Sequence, residues 1–155
     1  MVRAFACLVA AAAVAAVFGV AASATPAAAR CQPTRGDAAG PFQQITTVAR
    51  RAKIGTGHVL FGRVVRAPDC APVANALVVL WQAGPNGYTP RTRGSVVTDR
   101  AGRFRFEGPV PANYGREPHI HIVVSHPAYR ELLTLYVVRR GATTGRIRLV
   151  LAPLL

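Results

Sequence analysis

Short β-prone segments separated by turn residues restrict what this chain can fold into. The segments are residues 59–65, 76–81, 95–98, 103–106, 119–124, 132–138 and 147–151. Turn chemistry separates them, as at Pro68-Asp69 and at the run from Asp99 to Gly102. No window shows a sustained helical period with capping residues. Many short strands at regular spacing predict an all-β fold, a β-sandwich.

The first 29 residues have the layout of a secretory signal peptide. A short basic start at Arg3 is followed by an apolar run and then by small residues ending at Ala29. We expect cleavage after Ala29, which leaves residues 30–155 as one secreted or periplasmic domain. The alternative is an uncleaved anchor, because the apolar run approaches spanning length. Only then would the chain contact a membrane, and alanine is weakly apolar for that purpose.

Two cysteines remain once the predicted signal peptide, with Cys7, is removed. Cys31 and Cys70 form an even pair, which predicts a disulfide in an oxidising compartment. Residues 31–53 are polar and turn-rich, so they are predicted to form an irregular N-terminal arm over the core. The bridge would pin this arm to the sheet and stabilise the fold by roughly 3–4 kcal/mol. Two unpaired buried thiols are the alternative.

The chain is strongly basic, with a formal net charge of +13. A basic surface can bind nucleic acid, anionic envelope polymers or acidic aromatic substrates. The arginines are scattered along the strand-like segments rather than clustered, and few aromatic residues lie among them. An arginine-rich composition without a binding role therefore explains the charge equally well. We expect no nucleic-acid partner, since an exported chain has little access to one.

A His-x-His pair begins one of the predicted strands. Side chains alternate along a strand, so His119 and His121 face the same way while Ile120 faces the other. Their positions, roughly 6–7 Å apart by strand rise, allow both imidazoles to converge on one metal ion. The pair alone fits zinc or copper as well as iron.

Two tyrosines and an arginine accompany the histidines. Tyr114 lies on a turn five residues before His119, and Tyr88 follows a turn at Gly84-Pro85-Asn86-Gly87. Phenolate is a hard, anionic donor that suits ferric iron, although a single tyrosine is most often half-buried packing. Arg116 would need an anionic partner inside an apolar pocket. A metal-bound anionic substrate would supply one, and an exposed loop arginine is the alternative.

A family resemblance extends from Cys31 to about Val138. It rests on Cys31-Gln32-Pro33-Thr34, Gly40-Pro41-Phe42, Gly62-Arg63-Val64, Cys70-Ala71-Pro72, Asn75-Ala76, Trp81-Gln82, Gly87-Tyr88, Arg93-Gly94, Thr98-Asp99, Gly102-Arg103-Phe104-Arg105-Phe106, Tyr114, Arg116 and Pro118-His119-Ile120-His121. In this order they resemble the intradiol ring-cleavage dioxygenases, such as protocatechuate 3,4-dioxygenase and catechol 1,2-dioxygenase. More closely, they resemble the small secreted members that have only the core β-sandwich. The resemblance implies a transthyretin-like β-sandwich core.

The resemblance also implies a reaction and a metal site. Members of the family bind one non-haem Fe(III) through two tyrosines and two histidines, which would be Tyr88, Tyr114, His119 and His121 here. Tyr88 matches the tyrosine that stays bound, and Tyr114 matches the one that leaves when substrate arrives. Arg116 matches the arginine that stabilises the activated substrate. The implied function is cleavage of catechol-type aromatics by O2, between the hydroxyl-bearing carbons, to muconate-type dicarboxylates.

Two departures and two alternatives accompany this interpretation. Larger members often carry a Thr-Gln pair in the strand after the histidines, with the Gln near the substrate. No Gln is present in that strand, and Thr134 is expected at about its place. An N-terminal helical dimerisation domain is also lacking. The alternatives are a non-catalytic transthyretin-like binding module of the cell envelope and a zinc or copper site on the same scaffold.

Overall fold

The structure is a computed structural model that describes residues 30–37 and 48–154. The strands are β1 (His58–Arg66), β2 (Leu77–Gln82), β3 (Arg93–Val97), β4 (Arg103–Gly108), β5 (His119–His126), β6 (Tyr129–Val137) and β7 (Thr144–Leu151). Within these described ranges the only helical element is a 3-10 turn at Pro90–Thr92, and no helix there is long and apolar enough to cross a membrane. The predicted signal peptide and the Gly40-Pro41-Phe42 motif lie outside the described residues.

The seven strands form two sheets, which confirms the predicted sandwich. One sheet has three strands in the order β4-β1-β7, and the other has four in the order β3-β2-β5-β6. β1 pairs antiparallel with β4 and parallel with β7. β5 is a central strand of the larger sheet, antiparallel to both β2 and β6. Each strand overlaps one of the predicted segments, so the order of elements is as expected.

Alternation along β5 separates core residues from site residues. Ile120, Ile122 and Val124 are buried in the main apolar cluster between the two sheets. His119 and His121 therefore lie on the opposite, outward face of the four-stranded sheet. Each fully buried isoleucine stabilises the fold by about 1.5–3 kcal/mol, so the core fixes the strand register and the register fixes both histidines.

A second apolar cluster covers the outward face of the four-stranded sheet. Val79, Trp81 and Val123 form its buried part, and Val48 from the arm and Tyr88 pack against them. This cover keeps water from the part of the sheet beside the histidines. It explains why side chains on the outer face of this sheet are buried as well as those in the core.

The described part of the N-terminal arm runs along the sandwich, as predicted. The amide of Thr34 donates to the carbonyl of Val150 on one sheet, at 3.0 Å, and that of Asp37 donates to the carbonyl of Leu133 on the other, at 2.9 Å. The Cys31–Cys70 disulfide is present and confirms that prediction. The arm is thereby fixed to both sheets, and Asp37 is brought toward the histidine face.

Arginines that are scattered in the sequence lie side by side on the three-stranded sheet. Arg63 on β1 lies directly between Arg103 on β4 and Arg148 on β7 in the strand register. Residues far apart in the sequence meet because non-consecutive strands are neighbours. The arginines of this sheet therefore form a cluster on its outer face.

Candidate metal centre

The two histidines of β5 converge at their ring nitrogens. His119 and His121 are 3% and 7% exposed, and their Nε2 atoms lie 3.1 Å apart. The rings meet nearly edge to face, with an interplanar angle of 79°. The structure therefore brings together the pair that strand alternation predicted, with both nitrogens aimed at one point.

Tyr88 completes a triangle of donor atoms. Its hydroxyl oxygen lies 3.2 Å from Nε2 of His119 and 3.1 Å from Nε2 of His121. The turn that precedes it closes through reciprocal backbone hydrogen bonds between Gly84 and Gly87, at 2.9 and 3.0 Å. Gly87 has a φ of +76°, a conformation that favours glycine. This turn sets Tyr88 over the outward face of β5.

The triangle fits a bound metal ion. Ligand atoms about 2.0–2.1 Å from a metal, at tetrahedral to octahedral angles, are themselves about 2.9–3.4 Å apart. The three observed separations are 3.1–3.2 Å. Across residues 30–37 and 48–154, no group of three or more His, Cys, Asp or Glu side chains is placed to hold a metal. A third protein ligand at this point is therefore a tyrosine oxygen, which favours a hard trivalent ion over zinc.

Neighbouring groups hold each imidazole in place. Nδ1 of His119 lies 2.7 Å from the carbonyl oxygen of Glu117, so Nδ1 donates there and leaves the Nε2 lone pair for a metal. The ring of His121 stacks on the indole of Trp81, with centroids 5.0 Å apart and planes 11° apart. Trp81 and His121 are partners in the β2–β5 register. The sheet itself therefore orients His121.

Tyr114 lies beside the triangle on an exposed loop. Its ring meets that of Tyr88 edge to face at a centroid distance of 5.6 Å. Gly87, whose positive φ shapes the turn, lies against the Tyr114 ring. Backbone hydrogen bonding from Ala112 to Ala83, at 2.9 Å, holds the loop against the end of β2. Tyr114 is 50% exposed, whereas Tyr88 packs against the apolar cluster on this face.

Arg116 reaches the same face from this loop. Its guanidinium lies 3.9 Å from a carboxylate oxygen of Asp37, and about half of each partner's side chain is open to solvent. Such an exposed ion pair contributes little to stability. Its position matters more, because the arginine places positive charge beside the imidazoles and the phenols. The structure thus brings all five predicted site residues to one region of the outward face.

The environment of the triangle shifts two pKa values. Burial lowers the pKa of His121 to about 4, helped by His119 and by Arg116 and opposed by Asp37. Burial raises the pKa of the Tyr88 phenol, with Arg116 opposing and Tyr114 adding to the shift. Without a metal, His121 is therefore neutral and the Tyr88 phenol protonated at neutral pH. A trivalent cation supplies the charge that favours the phenolate.

The place expected for Thr134 is wrong. Thr134 pairs with Ile122 in the β5–β6 register, and its side chain is buried on the core side. Leu135 is instead the partner of His121, and Val137 is the partner of His119. Directly opposed residues share a face, so the surface beside the metal triangle is aliphatic where a glutamine was considered.

Sequence reasoning missed three residues of this region. Trp81 and Leu135 flank His121 on either side in the sheet, and Asp37 faces Arg116 from the arm. The apolar run ending at Trp81 was visible in the sequence, but the register that sets it on His121 was not. Nothing local indicated Asp37, because its contact depends on the path of the arm.

The fold and this donor set define a class: a small β-sandwich with one phenol and two imidazoles converging on its outer face. No family model matches the sequence. A catechol 1,2-dioxygenase of Acinetobacter lwoffii is 33% identical over 108 residues, covering 52% of this chain and 39% of that protein. A 6-chlorohydroxyquinol 1,2-dioxygenase of Cupriavidus pinatubonensis is 32% identical over 122 residues, covering 61% of this chain and 43% of that protein.

The solved structures include an intradiol ring-cleavage dioxygenase from Tetranychus urticae that shares the fold. The TM-score is 0.66 at 18% identity, covering 81% of this chain and 97% of that one. The chain spans about two fifths of the length of the curated relatives it matches. The resemblance found in the sequence is confirmed: the chain is similar in sequence to these 1,2-dioxygenases, and its β-sandwich has the fold of an intradiol ring-cleavage dioxygenase.

Proposed function

We propose that this protein is a non-haem Fe(III) intradiol dioxygenase. It would cleave catechol-type aromatics with O2 between the two hydroxyl-bearing carbons, giving muconate-type dicarboxylates. The observation that carries the proposal is the triangle of the Tyr88 hydroxyl and the two Nε2 atoms, with sides of 3.1–3.2 Å. Its relatives by sequence are named as 1,2-dioxygenases of catechol and of a chlorinated hydroxyquinol.

Four side chains would hold the ion: Tyr88, Tyr114, His119 and His121. Two phenolates neutralise much of a ferric charge, and two neutral imidazoles add no charge of their own. The low pKa of His121 supports this role, because its lone pair stays available to a metal at neutral pH. Bound Fe(III) would supply Lewis acidity, holding a catechol through both oxygens and making its ring reactive toward O2.

The two tyrosines would have different tasks. Tyr88 is packed against the apolar cover of the sheet and bonded to both imidazoles, so it would remain in place. Tyr114 is half exposed on its loop. It would move aside as substrate arrives, and its Oη would accept the proton of one catechol hydroxyl. This makes Tyr114 the base that accompanies substrate binding.

Arg116 would act on charge in the substrate. A guanidinium cannot lose its proton in a protein, so it is a fixed positive charge beside the site. Its effect on the pKa values of Tyr88 and His121 indicates that its field reaches the donor triangle. Negative charge that develops on the activated ring would be stabilised there. Asp37 would keep the guanidinium oriented toward this face.

Leu135 and Val137 suggest which part of the substrate meets protein rather than metal. They lie beside His121 and His119 on the same face, and Val137 is 40% exposed. An aliphatic wall suits the unsubstituted or alkyl edge of an aromatic ring. It offers no hydrogen bond to a polar ring substituent placed against it.

We propose that the reaction takes place outside the cytosol, in a secreted or periplasmic protein. The layout of residues 1–29 and the Cys31–Cys70 disulfide support that location. Small catechols and O2 would be its partners there. A non-catalytic binding module gives no reason for a partly buried phenol and two buried imidazoles to converge.

Three measurements on the purified protein test the proposal together. Elemental analysis should find one iron per chain, and phenolate-to-ferric charge transfer should give visible colour. Oxygen uptake with a panel of catechols, followed by product mass, should show addition of both oxygen atoms to one substrate. Protein that stays colourless and binds no iron after incubation with ferric salt would contradict the proposal. Bound zinc would instead favour the alternative of a zinc site on the same scaffold.

A further inference from the structure

The outer face of the three-stranded sheet carries five arginines around one phenylalanine. The register places Arg105, Phe61 and Arg146 in one row across β4, β1 and β7. The next row is Arg103, Arg63 and Arg148. All six side chains are exposed, and alternation with the buried Leu60 and Val64 directs the row residues of β1 outward.

Most of this positive charge has no opposite charge beside it. Glu107 forms an ion pair with Arg105 at 2.7 Å. In the part of the chain that the structure describes, Arg63, Arg103, Arg146 and Arg148 have no ion pair. Like charges directly opposite one another on neighbouring strands destabilise a sheet. The row through Arg63 has two such pairs, so it costs stability within the protein alone.

Phe61 gives the face an apolar centre. It is 37% exposed, and the guanidinium of Arg146 lies 5.4 Å from its ring centroid. Both rows border a cavity of about 530 Å³ whose lining includes Phe61, Arg63, Arg103 and Arg148. The Phe61 ring can pack against an apolar surface of a ligand, while the guanidinium groups around it bind anions bidentately.

We propose that this arginine face binds a linear acidic polysaccharide whose sugars carry carboxylates. Guanidinium forks match carboxylates in geometry. Within the row of Arg103, Arg63 and Arg148, neighbouring positions are one strand spacing apart, about 4.8 Å, which suits a polymer with regularly placed charges. The ring of Phe61 would pack against the apolar face of one sugar. Surfaces that bind single-stranded nucleic acid stack successive bases on several aromatic rings, and this face offers one.

The location of the face gives it a role distinct from the metal centre. It lies on the outside of the β4-β1-β7 sheet, whereas the histidines lie on the outside of the other sheet. A polymer bound at the arginine face would leave the metal centre open. The arginine face would therefore hold the protein on an acidic polysaccharide without blocking the metal centre.

The test is binding to polygalacturonate of defined length, measured by titration calorimetry at two salt concentrations. The triple variant Arg63→Gln, Arg103→Gln, Arg148→Gln should bind roughly tenfold more weakly, since three exposed guanidinium–carboxylate ion pairs are lost. Phe61→Leu should also weaken binding. Fully methyl-esterified polygalacturonate, which lacks the charges, should not bind.

A matched control separates the face from net charge. Arg91, Arg130 and Arg140 are exposed elsewhere, and replacing all three by Gln removes the same charge. That control should keep the wild-type affinity to within about twofold. Equal losses in both triple variants, or no loss in the first, would overturn the proposal. Tighter binding of an oligodeoxythymidine, lost in the same first variant, would also overturn it by assigning the face to nucleic acid. Melting temperatures would confirm that each variant is folded.

Discussion

The indole of Trp81 and the imidazole of His121 are stacked almost parallel, 5.0 Å apart at their centroids. They are register partners on β2 and β5, so the contact belongs to the sheet rather than to a loop. A donor nitrogen held in this way needs no rearrangement before a metal binds. The tryptophan would therefore affect metal binding through the imidazole ring that it orients.

Replacing Trp81 tests that positioning role. Trp81→Leu keeps an apolar side chain but removes the flat surface, and we expect metal affinity to fall by roughly 10–100-fold, as for other groups that orient ligands. Trp81→Phe retains a stacking ring and should lose much less. Competition with a chelator measures both affinities. Equal affinity in the two variants would show that the stacking does not matter.

The two tyrosines should respond differently to removal of the hydroxyl. Tyr88→Phe deletes the oxygen of the donor triangle, so we expect loss of iron and of visible colour together. Tyr114→Phe deletes the exposed phenol, and the protein should keep iron with a shifted visible band. Elemental analysis and absorption spectra of the two variants decide. If Tyr114→Phe loses iron while Tyr88→Phe keeps it, the two roles are reversed.

Arg116 should matter for turnover and little for metal binding. Arg116→Ala should retain iron and lower kcat by roughly 10²–10³, the scale of losing one electrostatic stabiliser. Arg91→Ala, an exposed arginine on another element, is the matched control. Oxygen-uptake kinetics measure both. Wild-type kcat in Arg116→Ala would remove its assigned role.

The low pKa of His121 predicts a pH dependence of stability in the metal-free protein. An unfolded histidine gains its proton near pH 6.5, whereas folded His121 gains it near pH 4. Between these values the unfolded state binds more protons, so stability rises with pH. We expect the protein to lose stability as pH falls from about 6.5 to 4, and chemical denaturation at several pH values measures this. The dependence should be weaker in His121→Gln.

Loss of the disulfide should destabilise the arm and the whole fold. The bridge closes a loop of 39 residues, for which the loop-entropy model gives roughly 3–4 kcal/mol. The Cys31→Ser, Cys70→Ser variant should lower the free energy of unfolding by about that amount. Wild-type protein should gain two protons in intact mass on reduction. No such gain would show that the purified protein lacks the bridge.

The strands and the histidine pair could be predicted because their signals are local. Alternation within residues 119–124 is enough to put His119 and His121 on one face. The two glycines just before Tyr88 likewise predict the turn that precedes it. The disulfide could be predicted by counting cysteines, since only Cys31 and Cys70 remain after the predicted signal peptide. These features depend on residues close together in the sequence, or on the number of cysteines, and not on how distant strands pair.

What could not be predicted depends on register between distant strands. A shift of one position decides whether Thr134 or Leu135 shares the face of the two histidines, and only the β5–β6 pairing supplies that information. The same holds for the arginine face, where the parallel pairing of β1 with β7 unites residues more than eighty positions apart. Asp37 reaches Arg116 only through the path of the arm.

The alternation on β5 ties two outcomes to one event. If β5 paired with β2 one residue out of step, the imidazoles would turn into the interior and Ile120 and Ile122 would turn toward water. Binding of Fe(III), and the visible colour expected from it, would then be lost together with the core. Visible absorbance during refolding would thus report that β2 and β5 have paired in the correct register.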